Sequence, residues 1–220
     1  MNLLVIAKAP VPGRSKTRLC PPCSPNEAAG LAEAALADML HAVAEAGERL
    51  DARTVLVLEG SPGTWLPPGF HVVEQRAGGL DERLAAAFDD VGGPALLVGM
   101  DTPQLTSPQI ADAVLRLGEP DVNGVLGEAV DGGWWAIGLR RPDARVFLGV
   151  PMSSSHTCEA QRARLAALEL TVAELPVLRD VDTFDDALAV AAEAPATRFA
   201  AAMAGLALAK VKDRDTGRRS

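Results

Sequence analysis

Positively charged side chains are concentrated near the start of this sequence, on a stretch rich in proline and glycine. No acidic residue precedes Glu27, although the whole chain carries a formal net charge of −8. Because cations that gather against the overall charge balance attract an anion, this stretch predicts a binding site for a chain of phosphates. A basic loop that is merely solvated is the alternative. The cations are Lys8, Arg14, Lys16 and Arg18.

This cationic loop, residues 8–18, follows an apolar run at 3–7 that predicts a buried strand. Open α/β sheets bind their ligands beyond the carboxyl ends of such strands. The loop is not a P-loop, because no glycine opens it and Gly13 lies only three residues before Lys16. The dinucleotide-binding pattern of three glycines is also absent. The site would therefore use side-chain cations together with backbone N–H groups.

A single acidic residue, Asp101, comes just after a second apolar run, at 95–99. One carboxylate at the edge of a sheet can hold Mg²⁺ while substrate phosphates and water complete the octahedron. Phosphoryl and nucleotidyl transfer need such a metal to neutralise charge on the phosphate oxygens. The alternative is that Asp101 only caps the turn before Pro103.

A third motif combines an acid with two glycines and a tryptophan, in the order Asp131, Gly132, Gly133, Trp134. The glycines allow either a close approach to a ligand or a tight turn. Trp134 and Trp135 are adjacent on a predicted strand and so point to opposite faces, which leaves only one of them to line a pocket. The alternative is an ordinary hairpin turn with a tryptophan in the core.

The fourth motif places Asp180 and Asp182 on one side of the chain wherever that segment is extended. Both carboxylates could complete a metal site with Asp101. Alternatively, Asp182 only supports the start of the following helix, where acids are favoured. A zinc site is disfavoured, because the spacing of its candidate ligands matches no usual pattern. Those ligands are Cys20, Cys23, His156 and Cys158.

The bulk properties of the 220-residue chain predict one domain, residues 1–209, with a flexible charged tail at 210–220. An isoelectric point near 4.9 argues against nucleic acid as a partner. No apolar run approaches the roughly 20 residues of a membrane span. The apolar run near Met1 is too short for a signal peptide, so a cytoplasmic location is the simplest expectation.

Strand and helix patterns alternate along the first two thirds of the chain, which predicts an α/β fold with a mostly parallel, mixed central sheet flanked by helices. Strands are predicted at 3–7, 54–58, 70–74, 95–99, 122–126, 134–139 and 171–175. Ser24 and Glu27 form a capping box that opens the first helix. Asp81 is the predicted N-cap of the second helix, and Thr183 caps a later one.

Together the four motifs resemble the bacterial glycosyltransferase-A-like proteins of unknown specificity. That family is similar to the molybdenum cofactor guanylyltransferases and the 2-phospholactate guanylyltransferases. The resemblance spans nearly the whole chain and implies the fold of a nucleotide-diphospho-sugar transferase. The guanylyltransferases have a glycine-rich first loop, whereas this loop is punctuated by proline, so the identity of the nucleotide is left open.

The resemblance also implies roles for individual residues. The acids expected to hold Mg²⁺ or Mn²⁺ are Asp101 and Asp182, and less directly Asp180. We expect Lys16, Arg18 and Asp101 to be catalytic. Acceptor binding is assigned to Asp131, Gly132, Gly133 and Trp134. The residues assigned to the nucleotide are Ala7, Lys8, Arg14, Lys16, Thr17, Arg18 and Gly79.

The sequence thus predicts a metal-dependent transferase acting on a nucleotide-activated substrate and a small-molecule acceptor. Four cations suit a triphosphate that loses pyrophosphate, which favours nucleotidyl transfer to a phosphorylated acceptor. Glycosyl transfer from a nucleoside-diphosphate sugar is the alternative. A sensor that binds a nucleotide without turnover is another, but a sensor does not need two metal-binding carboxylates. The expected partners include no nucleic acid and no membrane, and a homodimer is allowed for.

Overall fold

The computed structural model describes the backbone of residues 1–217 and the side chains of residues 1–207. Within that range one sheet of seven strands is covered by helices on both faces. The strands are β1 Asn2–Lys8, β2 Arg53–Glu59, β3 His71–Glu74, β4 Ala95–Val98, β5 Gly124–Ala129, β6 Trp134–Leu139 and β7 Val172–Leu178. The helices are α1 Pro25–Leu50, α2 Leu80–Val91, α3 Ser107–Leu117, α4 Thr157–Ala167, α5 Phe184–Glu193 and α6 Arg198–Gly217, with 3-10 turns at Thr17–Leu19 and Ala144–Val146.

The strands lie in the order β3-β2-β1-β4-β6-β5-β7. Pairing is parallel except where β6 runs antiparallel to both β4 and β5. This mostly parallel, mixed sheet confirms the predicted fold class. The carboxyl ends of the parallel strands therefore meet at one edge, and the turn between β5 and β6 reaches the same edge.

Alternation along the central strand divides the core into two layers. Leu3 and Val5 of β1 pack with α1 and α3 on one face, whereas Leu4 packs with α2 and α4 on the other. A third cluster joins α1, α5 and α6 to the end of the cationic loop, and it contains the fully buried Leu19 and Val181. Through these two residues, the cationic loop and the segment that contains Asp180 and Asp182 (the late acidic motif) pack into the same apolar cluster.

Several boundaries differ from the sequence prediction, among them strand β5, which covers Gly124–Ala129 rather than 122–126. Asp81 is not the N-cap of α2, because Gly79 holds that position and Asp81 lies in the first turn. The Asp81 carboxylate accepts the backbone N–H of Gly149 at 2.9 Å instead. Strand β7 continues past the predicted end through Pro176 to Leu178, which is tolerated because β7 is an edge strand.

The predicted division into a domain at 1–209 and a flexible tail at 210–220 stays a prediction. Helix α6 is described as far as Gly217, and the rest of the predicted tail lies outside the described residues. None of the helices in the described part has both the length and the apolar character needed to cross a bilayer.

Candidate active site

The cationic loop and Asp101 face one another across a cleft at the carboxyl edge of the sheet. Strand β1 pairs with β2 on one side and with β4 on the other, so chain connections diverge between β1 and β4. Such a topological switch point is where open α/β sheets bind ligands. The cleft has a volume of about 430 Å³. Its lining consists of Lys8, Arg14, Ser15, Lys16, Thr17, Arg18, Ala32, Met100, Asp101 and Asp182.

Lys16 is the least exposed cation of this cleft, with only 9% of its side chain in contact with solvent. Its Nζ lies 2.6 Å from Asp101 Oδ1 and 3.6 Å from Asp182 Oδ1. The same ammonium donates a hydrogen bond to the Val181 carbonyl. Lys16 adopts a left-handed backbone conformation with φ of 49°, which turns its side chain into the cleft. The structure thus brings the two predicted metal ligands within reach of one positive charge.

The other cations of the loop are more exposed. Arg18 Nη1 lies 3.0 Å from Asp182 Oδ2, with 74% of the Arg18 side chain in contact with solvent. Lys8 pairs with Glu59 at 3.4 Å, also in an exposed position. Among the described residues, the exposed side chain of Arg14 has neither an ion pair nor a hydrogen bond. Arg14 is therefore the cation with the most freedom to meet an incoming anion.

Backbone contacts hold the late acidic motif against the end of β4. The Val181 N–H donates to the Asp101 carbonyl at 2.9 Å. The side chain of Gln104, which follows the same turn, donates to the Arg179 carbonyl at 2.6 Å. Since Val181 and Leu19 also share one apolar cluster, the position of Asp182 opposite the loop is fixed by packing as well as by charge.

Asp180 lies beside this pair of carboxylates in a more enclosed position. Burial, together with the negative charges of Asp101, Asp131 and Asp182, raises the pKa of Asp180 to about 7 against the opposing charge of Lys16. Its Oδ1 is buried and has no hydrogen-bond partner among the described residues. A carboxyl group of this kind is held largely protonated below neutral pH.

Replacing Asp180 by asparagine should stabilise the metal-free protein strongly at alkaline pH and much less in acid. The raised pKa of Asp180 in the folded state means that folding opposes ionisation, so stability falls as pH rises from about 4 through about 7. Asp180→Asn removes this penalty and should raise the free energy of unfolding by up to about 4 kcal/mol near pH 8. Urea unfolding with a chelator at about pH 4.5 and about pH 8 measures it.

Asp186 provides the matched control for this measurement. Although burial raises its pKa, hydrogen bonds from Thr183 and Arg179 bring the pKa of Asp186 below the usual range. Its ionised form stabilises the fold above the ordinary aspartate pKa, and this contribution is lost as pH falls through the lowered value. Asp186→Asn should therefore destabilise near neutral pH. Equal pH dependence of the two variants would contradict the assignment of Asp180.

The turn after β5 stands at the same edge of the sheet. Asp131 Oδ1 accepts the Gly133 N–H at 2.8 Å, and the Gly132 carbonyl accepts the Cys158 N–H at 2.9 Å. Trp134 is partly buried in the layer facing α4, whereas Trp135 is buried in the opposite layer, as the alternation of a strand predicts. None of these residues lines the cleft. The negative charge of Asp131 nevertheless contributes to the raised pKa of Asp180.

Two residues predicted to bind the nucleotide also lie outside the lining of the cleft. Ala7 is buried in β1, and its carbonyl accepts a hydrogen bond from Gln75 Nε2 at 2.7 Å. Gly79 caps α2, and its N–H donates to Glu82 at 2.7 Å. Seven predicted residues are brought together in the cleft, and they are Lys8, Arg14, Lys16, Thr17, Arg18, Asp101 and Asp182.

A polar network beside the cleft was missed by the sequence reasoning. Arg83 Nη1 contacts Glu59 at 2.7 Å and Gln75 at 3.2 Å, and Glu59 also meets Lys8. Although desolvation raises the pKa of Glu59, the hydrogen bond from Arg83 and the charge of Lys8 bring it below its usual range. The available signal was that Glu59 and Gln75 each stand at the carboxyl end of a predicted parallel strand.

The carboxylates of the cleft suit a hard divalent cation. Asp101 and Asp182 present oxygen ligands, which Mg²⁺ and Mn²⁺ prefer. The described residues contain no group of three or more His, Cys, Asp or Glu side chains placed to hold a metal. Mg²⁺ is commonly bound by one or two carboxylates together with substrate phosphates. The pair therefore fits such an ion when phosphates supply the remaining ligands.

Comparison with known proteins connects this geometry to a bacterial family. The family model described as "Uncharacterized protein conserved in bacteria (DUF2064)" matches residues 27–154, more than half of the chain. The matched region contains Asp101 and the turn at Asp131, and it begins after the cationic loop. A search of curated proteins found no match.

Solved structures share the fold over most of the chain. One from Desulfovibrio desulfuricans G20, provisionally assigned as a nucleotide-diphospho-sugar transferase, is 28% identical with a TM-score of 0.72, covering 83% of this chain and 82% of that chain. Rv0371c from Mycobacterium tuberculosis H37Rv is 20% identical with a TM-score of 0.51, covering 86% and 96%.

A mannosyltransferase from Pyrobaculum calidifontis, solved with GDP-Man and Mn²⁺, also has this fold. It is 14% identical to this chain, with a TM-score of 0.53, and the match covers 92% of this chain and 63% of the mannosyltransferase. At such identity the likeness shows the fold alone. The resemblance of the sequence motifs to nucleotide-diphospho-sugar transferases is thus matched by the architecture.

Proposed function

This chain belongs to the bacterial family DUF2064, and on that premise we propose that it is a divalent-metal-dependent transferase acting on a nucleotide-activated substrate. One observation carries the proposal. Cations from the loop after β1 and carboxylates from the ends of β4 and β7 converge on a single cleft at the switch point of the sheet. Cations hold phosphates, and carboxylates hold the metal that phosphate chemistry needs.

Each side of the cleft has its own task in this proposal. Arg14 and Lys8 are exposed and meet the phosphates first. Lys16 and Arg18 stabilise negative charge that develops on the phosphate oxygens during transfer. Asp101 and Asp182 would hold Mg²⁺ or Mn²⁺, which supplies Lewis-acid stabilisation of the same oxygens. We assign the acceptor to the turn at Asp131, which lies on the same edge of the sheet but outside the lining of the cleft.

Nucleotidyl transfer is the reaction that we favour within this class. An oxygen of a small phosphorylated acceptor would attack the α-phosphorus of a nucleoside triphosphate, and the bond to the departing pyrophosphate would break. Pyrophosphate is strongly negative, and all the cations of the cationic loop line the same cleft. Nucleotidyl transfer is also the class of reaction of the guanylyltransferases, to which the sequence motifs are similar.

Transfer of a sugar from a nucleoside-diphosphate sugar is the second candidate. It is favoured by the provisional assignment of the Desulfovibrio desulfuricans protein, which is 28% identical over 83% of this chain. A diphosphate-linked donor would use the same cations, but its leaving group is a nucleoside diphosphate. The two candidates therefore differ in the ligand that binds and in the product that is released.

A panel of nucleoside triphosphates and nucleotide sugars, with and without Mn²⁺, tests the proposal. A ligand present at about 100 times its dissociation constant stabilises by roughly 2.7 kcal/mol, which should raise the melting temperature by about 5 °C or more for a chain of this size. Release of pyrophosphate on addition of phosphorylated acceptors would then identify nucleotidyl transfer. A shift with a nucleotide sugar but with no triphosphate would favour the second candidate.

Arginine variants on opposite edges of the sheet provide the control. Arg14→Met should abolish the rise in melting temperature, because Arg14 lines the cleft and its guanidinium has no ion pair with another described residue. Arg141→Met should retain it, because Arg141 is exposed beyond the end of β6, at the opposite edge. Absence of a shift with every nucleotide in the panel would contradict the proposed function.

A further inference from the structure

Lys16 occupies the space between the two carboxylates that the proposed function assigns to a metal. Its ammonium contacts Asp101 Oδ1 at 2.6 Å and Asp182 Oδ1 at 3.6 Å, and it donates to the Val181 carbonyl. Three oxygen atoms therefore surround a single cation that belongs to the chain itself. Two of these oxygens belong to the carboxylates that would hold a divalent ion together with phosphate and water.

Both oxygens of Asp182 are already paired with cations of the loop. Oδ1 faces Lys16, and Oδ2 lies 3.0 Å from Arg18 Nη1. A divalent ion cannot approach either oxygen closely while both positive groups remain, because like charges at such distances repel strongly in a partly buried site. The ion can therefore bind only if these cations move to another anionic partner.

The two cations differ in how firmly they hold the acids. Arg18 is 74% exposed, and an ion pair so exposed to water contributes little. Lys16 is 9% exposed and has three oxygen partners. Loss of its partners would leave a buried charge without compensation, which is costly. Lys16 is thus the group whose displacement sets the affinity of the site for a metal.

Resting on the proposed function, we propose that Lys16 is a built-in counterion that blocks the metal site until phosphates draw its ammonium away. A phosphate chain offers Lys16 a new anionic partner and frees Asp101 and Asp182 for the ion. Metal and phosphates then bind cooperatively, and the coupling is reciprocal, since each raises the affinity for the other. A cleft without phosphates would bind Mn²⁺ only weakly.

Titration with Mn²⁺ alone, followed by the loss of the paramagnetic resonance signal of the free aqueous ion, tests this inference directly. Lys16→Met keeps the length of the side chain and removes its charge, and Lys16→Gln is a second variant in case the first folds poorly. Each should bind Mn²⁺ at least about tenfold more tightly than the parent, a change of about 1.4 kcal/mol. Arg141→Met is the control and should match the parent, because Arg141 is exposed at the opposite edge of the sheet.

Thermal unfolding with inorganic pyrophosphate supplies the second readout. For the parent protein, Mn²⁺ and pyrophosphate together should raise the melting temperature by more than their separate shifts combined. In Lys16→Met, Mn²⁺ alone should produce a shift. Equal Mn²⁺ affinity in the parent and both Lys16 variants, whether tight or absent, would overturn the inference. A failure to bind any nucleotide would instead end the proposed function, and it would leave the comparison of Mn²⁺ affinities intact.

Discussion

Replacing Asp101 by asparagine should lower metal-dependent turnover by at least about 100-fold, since loss of metal and positioning contacts at a phosphoryl centre removes several kcal/mol of transition-state stabilisation. Asp101 contacts both the cationic loop and the late acidic motif. Its side chain contacts Lys16 at 2.6 Å, and its carbonyl accepts the Val181 N–H. Asparagine keeps the shape and the backbone contact but not the charge. The pyrophosphate-release assay with the triphosphate selected by the binding panel measures the loss.

Glu59→Gln is the matched control for Asp101→Asn. Glu59 is a carboxylate at the carboxyl end of β2, and it pairs with Lys8 and Arg83 rather than with Lys16. Its replacement should change turnover by less than about fivefold, in line with the modest value of exposed ion pairs. If Asp101→Asn kept turnover within about threefold of the parent, the assignment of Asp101 to the chemistry would be wrong.

The first half of the site could be predicted because it depends on local sequence. A cationic loop after one apolar strand, and an acid after another, must both lie at the carboxyl edge if the strands are parallel. The sequence did not say that β1 and β4 are neighbours, since β2 and β3 intervene along the chain. That adjacency is a property of the topology, and it is what turns two separate motifs into one cleft.

The second half of the site depends on long-range packing. Asp182 follows β7, which is the edge strand farthest from β3, and the chain must cross back to reach β4. The crossing is held by the burial of Val181 beside Leu19 and by the hydrogen bond from Val181 to Asp101. Sequence spacing carries no record of such contacts, so the engagement of Lys16 with carboxylates rather than with solvent was not foreseen.

Gly132 is required by the local structure, whatever its role in ligand binding. Its φ of 87° lies in the region that favours glycine. A Cβ on Gly132 would lie 2.0 Å from the carbonyl oxygen of Ser155 and 2.7 Å from its carbon. The glycine therefore allows the turn after β5 to press against the segment that leads into α4, where its carbonyl accepts the Cys158 N–H.

Gly132→Ala should accordingly destabilise the protein by roughly 3–5 kcal/mol, combining the cost of a strained backbone with that of overpacking against rigid backbone atoms. The overlap involves a main-chain carbonyl rather than the end of a flexible side chain, so relief requires the turn and the start of α4 to move apart. Such movement would also break the hydrogen bond from Cys158. The free energy of unfolding in urea, measured for the parent and the variant, gives the value.

Gly69→Ala separates the two contributions. Gly69 has a similar φ of 94°, but a Cβ placed there would have no atom within 4 Å. Its replacement should cost only the backbone term, about 1–2 kcal/mol. The difference between the two variants then reports the contact between the turn and Ser155. Equal losses would mean that the turn yields freely, and the Asp131 carboxylate would then not be held at a fixed place beside Asp180.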